Sequence, residues 1–189
     1  MTESFSPPKF GVGQPVRRLE DPRLLTGRGL FTDDIHMDGE THAVVLRSPH
    51  AHAAIRSIEA TTARTMQKVL GIYTASDIAS LGAIQCMAPV QQVDGSDLIA
   101  PRFPILAEDR AVYVGQPVAV VVAENVAAAK AAADTIKIDY EPFPAVVDTA
   151  SANSTGVAQI WPEATNNTAF VWRDGDHTKI ADALAAAPR

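Results

Sequence analysis

Apolar positions fall into short runs at strand or helix spacing, separated by long stretches rich in turn formers. From Thr41 to Ser48 the string THAVVLRS carries β-branched and apolar residues at strand length, and Pro49 ends it. Ala54 to Ile58 is a second such run. It leads into EATTARTMQKVL, where Ala63, Met66 and Leu70 sit at helical spacing, and then into the strand-like Gly71 to Thr74, a β-α-β signature. Ala75-Ser76-Asp77 predicts a helix start running through Leu81, with Ser76 or Asp77 accepting from the first free N–H groups. The best-defined unit follows: Ala111 to Val114, a Gly115-Gln116-Pro117 turn, the run VAVVVAE, the helix Asn125 to Thr135 and the strand IKIDYEP. Val118 to Ala123 is apolar at every position, which predicts a strand covered on both faces; parallel flanking strands would require a right-handed crossover. The alanines of the helix permit close approach to the sheet. The expected class is α+β, with two β-α-β units on a mixed sheet.

The remaining chain lacks a sustained period. Residues 1–40 read as an irregular N-terminal arm, punctuated by Pro22, Gly27 and Gly29, whose Leu24, Leu25, Leu30 and Phe31 should lie on a surface. Residues 41–148 form the expected domain. Within it, 82–109 is a long loop carrying Pro89, Gly95, Pro101 and Pro104, a length that points to function or to clamping by a partner. Pro142 and Pro144 end the regular part, and 149–189 form a C-terminal arm with both tryptophans. Trp161, Phe170 and Trp172 are each worth about 2 kcal/mol or more when buried, so that arm should dock on its own domain or on another chain. A last helix is predicted from Asp176 to Ala187, with Ile180 and Leu184 at i, i+4 spacing.

Composition narrows the field. The 189 residues are 47% hydrophobic and 20% charged, with a mean hydropathy of +0.02, values of a foldable globular protein. Sixteen Lys and Arg against 22 Asp and Glu give a net charge of −6, which speaks against nucleic acid or an anionic membrane surface as partner. The longest apolar run falls well short of the roughly 20 residues of a membrane span, and the acid and prolines near the N-terminus do not resemble an export signal. A single cysteine, Cys86, leaves no intramolecular disulfide, so a reducing, cytoplasmic location is expected.

No catalytic, cofactor-binding or metal-ligating residue is assigned on this reading. Gly11-Val12-Gly13 lacks a preceding strand and a third glycine, and neither Gly27-Arg28-Gly29 nor Gly115-Gln116-Pro117 carries a phosphate-loop lysine. His50 and His52, two apart on an extended backbone, would share one side and could begin a metal site, with His36 and His42 near in sequence; a solvated or hydrogen-bonded loop pair is the simpler alternative. Asp33-Asp34 and Glu20-Asp21 read as caps, turn formers or partners of Arg17, Arg18 and Arg28. Cys86 has no companion motif, and no serine sits in a nucleophile elbow. Asn153-Ser154-Thr155 and Asn166-Asn167-Thr168 match the glycosylation pattern by coincidence in a polar stretch.

Four strings together carry a resemblance: GVGQPVRRLEDPRLLTGRGLFTDDI, HAVVLRSPHAHAAIRSIEA, PILAEDRAVYVGQPVAVVVAENVAAAKAAADTIKIDYEPFPAVVD and NNTAFVWRDGD. In this order the chain resembles the start of the molybdenum-bearing large chain of the xanthine dehydrogenase and aldehyde oxidase family, nearest in flavour to the carbon monoxide dehydrogenase branch. The resemblance implies an α/β hammerhead domain flanked by arms. It also implies a molybdopterin cofactor in the completed enzyme, none of it held by residues of this chain, and Gln116 is read as structural. The implied partners are a molybdopterin-binding chain or domain, an iron–sulfur subunit and, as an optional member, a flavin subunit. The implied function is a structural and interface component, either a split subunit or an N-terminal portion, of a hydroxylase acting on aldehydes, purines, N-heterocycles or carbon monoxide, and inactive alone. A stand-alone binding or assembly module with this fold is the alternative.

Overall fold

A computed structural model of the protein describes residues 18–88 and 90–187. Gly11-Val12-Gly13, Arg17, Pro89 and Arg189 lie outside the described residues. Residues 1–40 and 41–189 form two units. In the first, Pro22 sits in the opening turn of a short helix, α1 (Asp21–Leu25), where its missing N–H costs nothing. Thr26 Oγ1 donates to Pro22 O at 2.6 Å, and the helix ends at Gly27 in the left-handed region. Asp34 is a turn former, accepting from Phe31 N at 2.9 Å, and Glu20 pairs with Arg23.

The second unit contains two three-stranded sheets. The first has the order β1 (His42–Arg47), β7 (Pro117–Ala123), β3 (Val69–Thr74). The second has the order β6 (Arg110–Ala111), β2 (Ala53–Glu59), β8 (Lys137–Pro142). Every pairing is antiparallel. The α+β class is as expected, and both β-α-β segments exist along the chain. Their strands, however, do not share one mixed sheet. The β2–α2–β3 segment passes from the second sheet to the first, through α2 (Thr61–Arg64), and β7–α3–β8 passes from the first back to the second, through α3 (Val126–Thr135).

The reason is visible in the pairing. β7 already has β1 on one edge and β3 on the other, so no edge remains for β8, which pairs with β2 instead. The α2 helix is also too short for a parallel crossover, which needs a dozen or more residues. It stops at Arg64, and Lys68 at φ 68° turns the chain into β3. Leu70, placed on a helical stripe by its spacing, is therefore an exposed strand residue. Likewise, the stretch after Thr74 is a turn followed by a single 3-10 turn, Ala79–Leu81. Asp77 accepts from Thr74 N at 2.7 Å and Thr74 Oγ1 at 2.8 Å, closing the turn backward instead of capping a helix.

One core lies between the first sheet and the two helices. Ala129 and Ala132 of α3 and Ala63 of α2 are fully buried against Ile72, Val121 and Ala123, with Ile136 completing the cluster. Small side chains on the helix side bring the backbones together and let the β-branched strand residues fill the gap. Asn125 caps α3, accepting from Ala128 N at 2.8 Å. On the same strand, Gly71 leaves room for a neighbour: a Cβ there would sit 2.7 Å from the Tyr73 hydroxyl, so the exposed Tyr73 ring would have to move aside. Within the long loop, β4 (Ala83–Ile84) pairs with β5 (Phe103–Pro104), so both ends are tied. The last helix, α4 (His177–Ala186), begins at Asp176 as the pattern predicts.

Candidate functional site

The polar groups that the fold buries gather around the corner between β1 and β2. Leaving β1, Ser48 meets the Gly115-Gln116 turn: Ser48 N donates to Gln116 O at 2.9 Å and Gly115 N to Ser48 O at 2.8 Å. Gly115 has φ 86°, a conformation that disfavours any other residue. Gln116 is 2% exposed, and its Oε1 accepts from Val112 N at 2.7 Å, which ties β6 to the start of β7. Ser48 Oγ accepts from His50 N at 3.1 Å and donates to His50 O at 2.9 Å.

From this corner His50 and His52 diverge. The chain bends after Pro49, so the extended geometry that would put both rings on one side is not adopted. His50 meets the edge of Tyr140 at 5.0 Å between ring centroids, while His52, 7% exposed, meets Phe143 at 5.2 Å. A carbonyl can only accept, so the 2.8 Å contact of His52 Nδ1 with Pro144 O places the proton on Nδ1 and leaves Nε2 a buried acceptor with no partner among the described residues. Tyr140 Oη is also buried without a hydrogen bond among the described residues. Burial pushes the Tyr140 phenol pKa up. Among the described residues no three His, Cys, Asp or Glu side chains converge as a metal site requires. Cys86 is exposed and edges an open groove with Leu98 and Trp172.

The second region of interest is where the long loop meets the tail. Val93 N donates to Val171 O at 3.0 Å and Ile99 N to Ala169 O at 2.8 Å, so the tail crosses the loop through two backbone bonds. Trp172 is 61% and Phe170 47% exposed there, beside exposed Met87 and Val93. The aromatic arm thus rests on its own domain by its backbone while its rings face solvent. Trp161, by contrast, is half-buried. Its loop is organised by a residue that spacing does not single out: Asn167, at φ 52°, accepts from Ile160 N at 2.8 Å and donates to Ala152 O and Ala158 O at 2.9 Å each. The sequence signal was the Asn166-Asn167 pair, since asparagine tolerates the left-handed region better than most residues. In α4 no residue is buried: Ile180 and Leu184, four apart, are both exposed, Leu184 to 72%.

Comparison with known proteins decides what this arrangement is. Residues 26–144 match the family described as aldehyde oxidase and xanthine dehydrogenase, a/b hammerhead domain. The chain belongs to that family. It is 40% identical over 146 residues to the nicotine 6-hydroxylase large subunit of Paenarthrobacter nicotinovorans, an alignment covering 76% of this chain and 17% of that one. Its structure resembles quinoline 2-oxidoreductase from Pseudomonas putida 86, with a TM-score of 0.66 and 39% identity over 78% of this chain and 18% of the other. It also resembles a Cu,Mo-CO dehydrogenase, with a TM-score of 0.71 and 27% identity over 94% of this chain and 23% of that one. The hammerhead chain therefore spans about a fifth of the relatives it matches. The family match takes in both sheets, their helices and the long loop, and stops before Trp161, Phe170, Trp172 and α4. No helix among the described residues is long and apolar enough to cross a membrane.

Proposed function

We propose that this chain is the hammerhead portion of a molybdenum hydroxylase large chain, a scaffold and interface component that is not catalytic alone. The observation that carries the reading is a pairing: a family match over both three-stranded sheets and their helices, and large apolar side chains of the following tail left in solvent. The remaining portion would hold the molybdopterin and complete these surfaces, an iron–sulfur subunit would be the redox partner, and a flavin subunit an optional third. The substrate would be an aldehyde, purine, N-heterocycle or carbon monoxide, selected by a pocket formed elsewhere, and the complex would be cytoplasmic. In this reading residues 1–40 and 149–189 are contact arms, and 41–148 is the domain. When bound in the complete enzyme, the molybdenum cofactor supplies hydroxylation with oxygen from water. The described residues offer no converging ligand set for its metal, so no step is assigned to them. Their part is positional. The Ser48–Gln116 bonds fix the β1–β2 corner, and the loop–tail crossing fixes where Phe170 and Trp172 emerge.

Two observations test this. The genome should encode the molybdopterin-binding portion, in the same or an adjacent reading frame, and the two polypeptides should co-migrate on size exclusion at micromolar concentration. Independent migration would favour the stand-alone assembly module. Stoichiometric molybdenum in the purified 189-residue chain, or turnover of an aldehyde by it, would overturn the assignment of the metal site to other atoms.

A further inference from the structure

One cavity opens beside the Gly115-Gln116 turn. It lies between the β6–β7 corner and the 160–163 loop, has a volume of about 200 Å³, and is lined by Pro104, Arg110, Val112, Gln116, Trp161 and Pro162. The key group is Gln116. Its orientation is fixed by chemistry, because the Val112 N–H needs an acceptor and only Oε1 can supply one; the other end of the amide is therefore Nε2, with two N–H donors. Neither donor has a partner among the described residues, although the side chain is 98% buried. With the rest of the side chain enclosed, the space these donors reach is the cavity that Gln116 lines.

Size and charge restrict the occupant. Pockets for drug-sized ligands run from about 300 Å³ upward, so this one suits a single side chain with its main-chain carbonyl. Arg102 pairs with Glu108 at the rim, Arg110 has no ion pair among the described residues, and Asp109 and Glu163 also border the cavity. With both signs around the mouth, a charged ligand meets repulsion from one of them, whereas a neutral acceptor does not. The indole of Trp161 and the rings of Pro104 and Pro162 give the apolar walls that an anchor residue at an interface fills.

We infer that this cavity receives one apolar anchor residue of the molybdopterin-binding polypeptide, whose backbone carbonyl accepts from Gln116 Nε2. The inference rests on the proposed function, since the relatives carry about four-fifths of their chain beyond the matched region and that chain must pack somewhere. Gln116→Glu is the sharpest probe. It keeps an oxygen acceptor for Val112 N and replaces the two donors with an acceptor. Trp161→Ala removes a wall instead.

The experiment measures the dissociation constant between the 189-residue chain and the molybdopterin-binding polypeptide of its own enzyme. Both variants are expected to weaken association at least about tenfold, which is about 1.4 kcal/mol. A third measurement is independent of either variant: in a Trp172→Phe background, where Trp161 is the remaining indole, its emission should shift to the blue on assembly as the cavity fills. Variants that bind within twofold of the unaltered chain, or an unmoved emission, would overturn the inference while leaving the scaffold reading intact. Failure of the unaltered chain to associate at all would overturn that reading and this inference with it.

Discussion

The α3 face of the first sheet and the surface where the long loop meets the tail use apolar residues in opposite ways. Behind α3 the side chains are small and reach full burial: Ala63, Val121, Ala123, Ala129 and Ala132 are all closed off from solvent. At the loop–tail surface they are large and open, with Met87, Phe170 and Trp172 exposed on a backbone held by two hydrogen bonds. Burial stabilises a fold only where it removes apolar area from water, so the first region holds this unit together and the second contributes little until something covers it. Folding and assembly should therefore respond to different residues.

The largest effect belongs to the core. Ile72, 2% exposed and packed on the α2–α3 cluster, loses its side chain in Ile72→Ala, and unfolding by urea should show a loss of about 3 kcal/mol from lost transfer free energy plus the cavity left behind. The opposite error, Ala129→Leu, should cost about 1–3 kcal/mol by forcing α3 off the sheet. Urea midpoints indistinguishable from the unaltered chain would mean that the alanine-lined face is not the folding core.

Between the two extremes stands Asn167. Asn167→Ala removes the acceptor of Ile160 N and the donor to two carbonyls; these groups are only partly buried, so the loss should total about 1–3 kcal/mol, the cost of one fully buried unpaired group. Because the bonds are confined to residues 152–167, the loss should appear as faster amide exchange at Ile160 and quicker proteolysis of that loop. The urea midpoint of the sheets should move little, and a large shift would show that the loop and the core fold as one cooperative unit.

Trp172→Ser sharpens the contrast from the other side. With the ring mostly in solvent, the isolated chain should change by less than about 0.5 kcal/mol, the usual range for surface positions. Association with the molybdopterin-binding polypeptide, by contrast, should weaken several-fold if the ring is an anchor. Destabilisation of the isolated chain as large as that of Ile72→Ala would erase the distinction between the regions.

Legibility in the sequence followed the same division. The runs at β1, β2, β3, β7, α3 and β8 were readable because each carries its own period, and Asn125 and Asp176 marked helix starts by their side-chain chemistry. Sheet membership was not readable. Which edge β8 joins depends on β1 and β3 having already taken both edges of β7, and pairing of that kind is not a local property of KIDYEP. The end of α2 was missed because Ala63, Met66 and Leu70 fit a helical stripe, while the left-handed Lys68 carries no local mark. At the corner, the two histidines drew notice by spacing, yet the neighbouring Gln116 is the more telling residue. Its significance is a matter of which atoms remain unpaired after folding, and Gly-Gln-Pro alone shows only a turn.

The smallest effect is at α4, the element least supported by burial. Asp176 accepts from Lys179 N and Thr178 N, each at 3.1 Å, and its carboxylate lies 3.3 Å from Lys179 Nζ. The Lys179 backbone N–H first, then the Lys179 side chain and the Thr178 N–H, hold its pKa below the ordinary aspartate value. A depressed folded-state pKa means that the cap contributes fully above the unfolded-state value of about 3.9 and is lost as pH falls through the lower folded value. The Thr178 and Lys179 amide resonances should accordingly shift on acidification below about pH 4, together with a small loss of helical ellipticity. Asp176→Asn, which keeps a capping oxygen without a titrating group, should hold the helix through that window, whereas Asp176→Ala should fray it at every pH. An unaltered chain whose α4 amides stay fixed down to pH 2 would indicate that packing, and not the cap, retains this helix. Its exposed Ile180 and Leu184 would then need a partner surface already in place in the isolated chain.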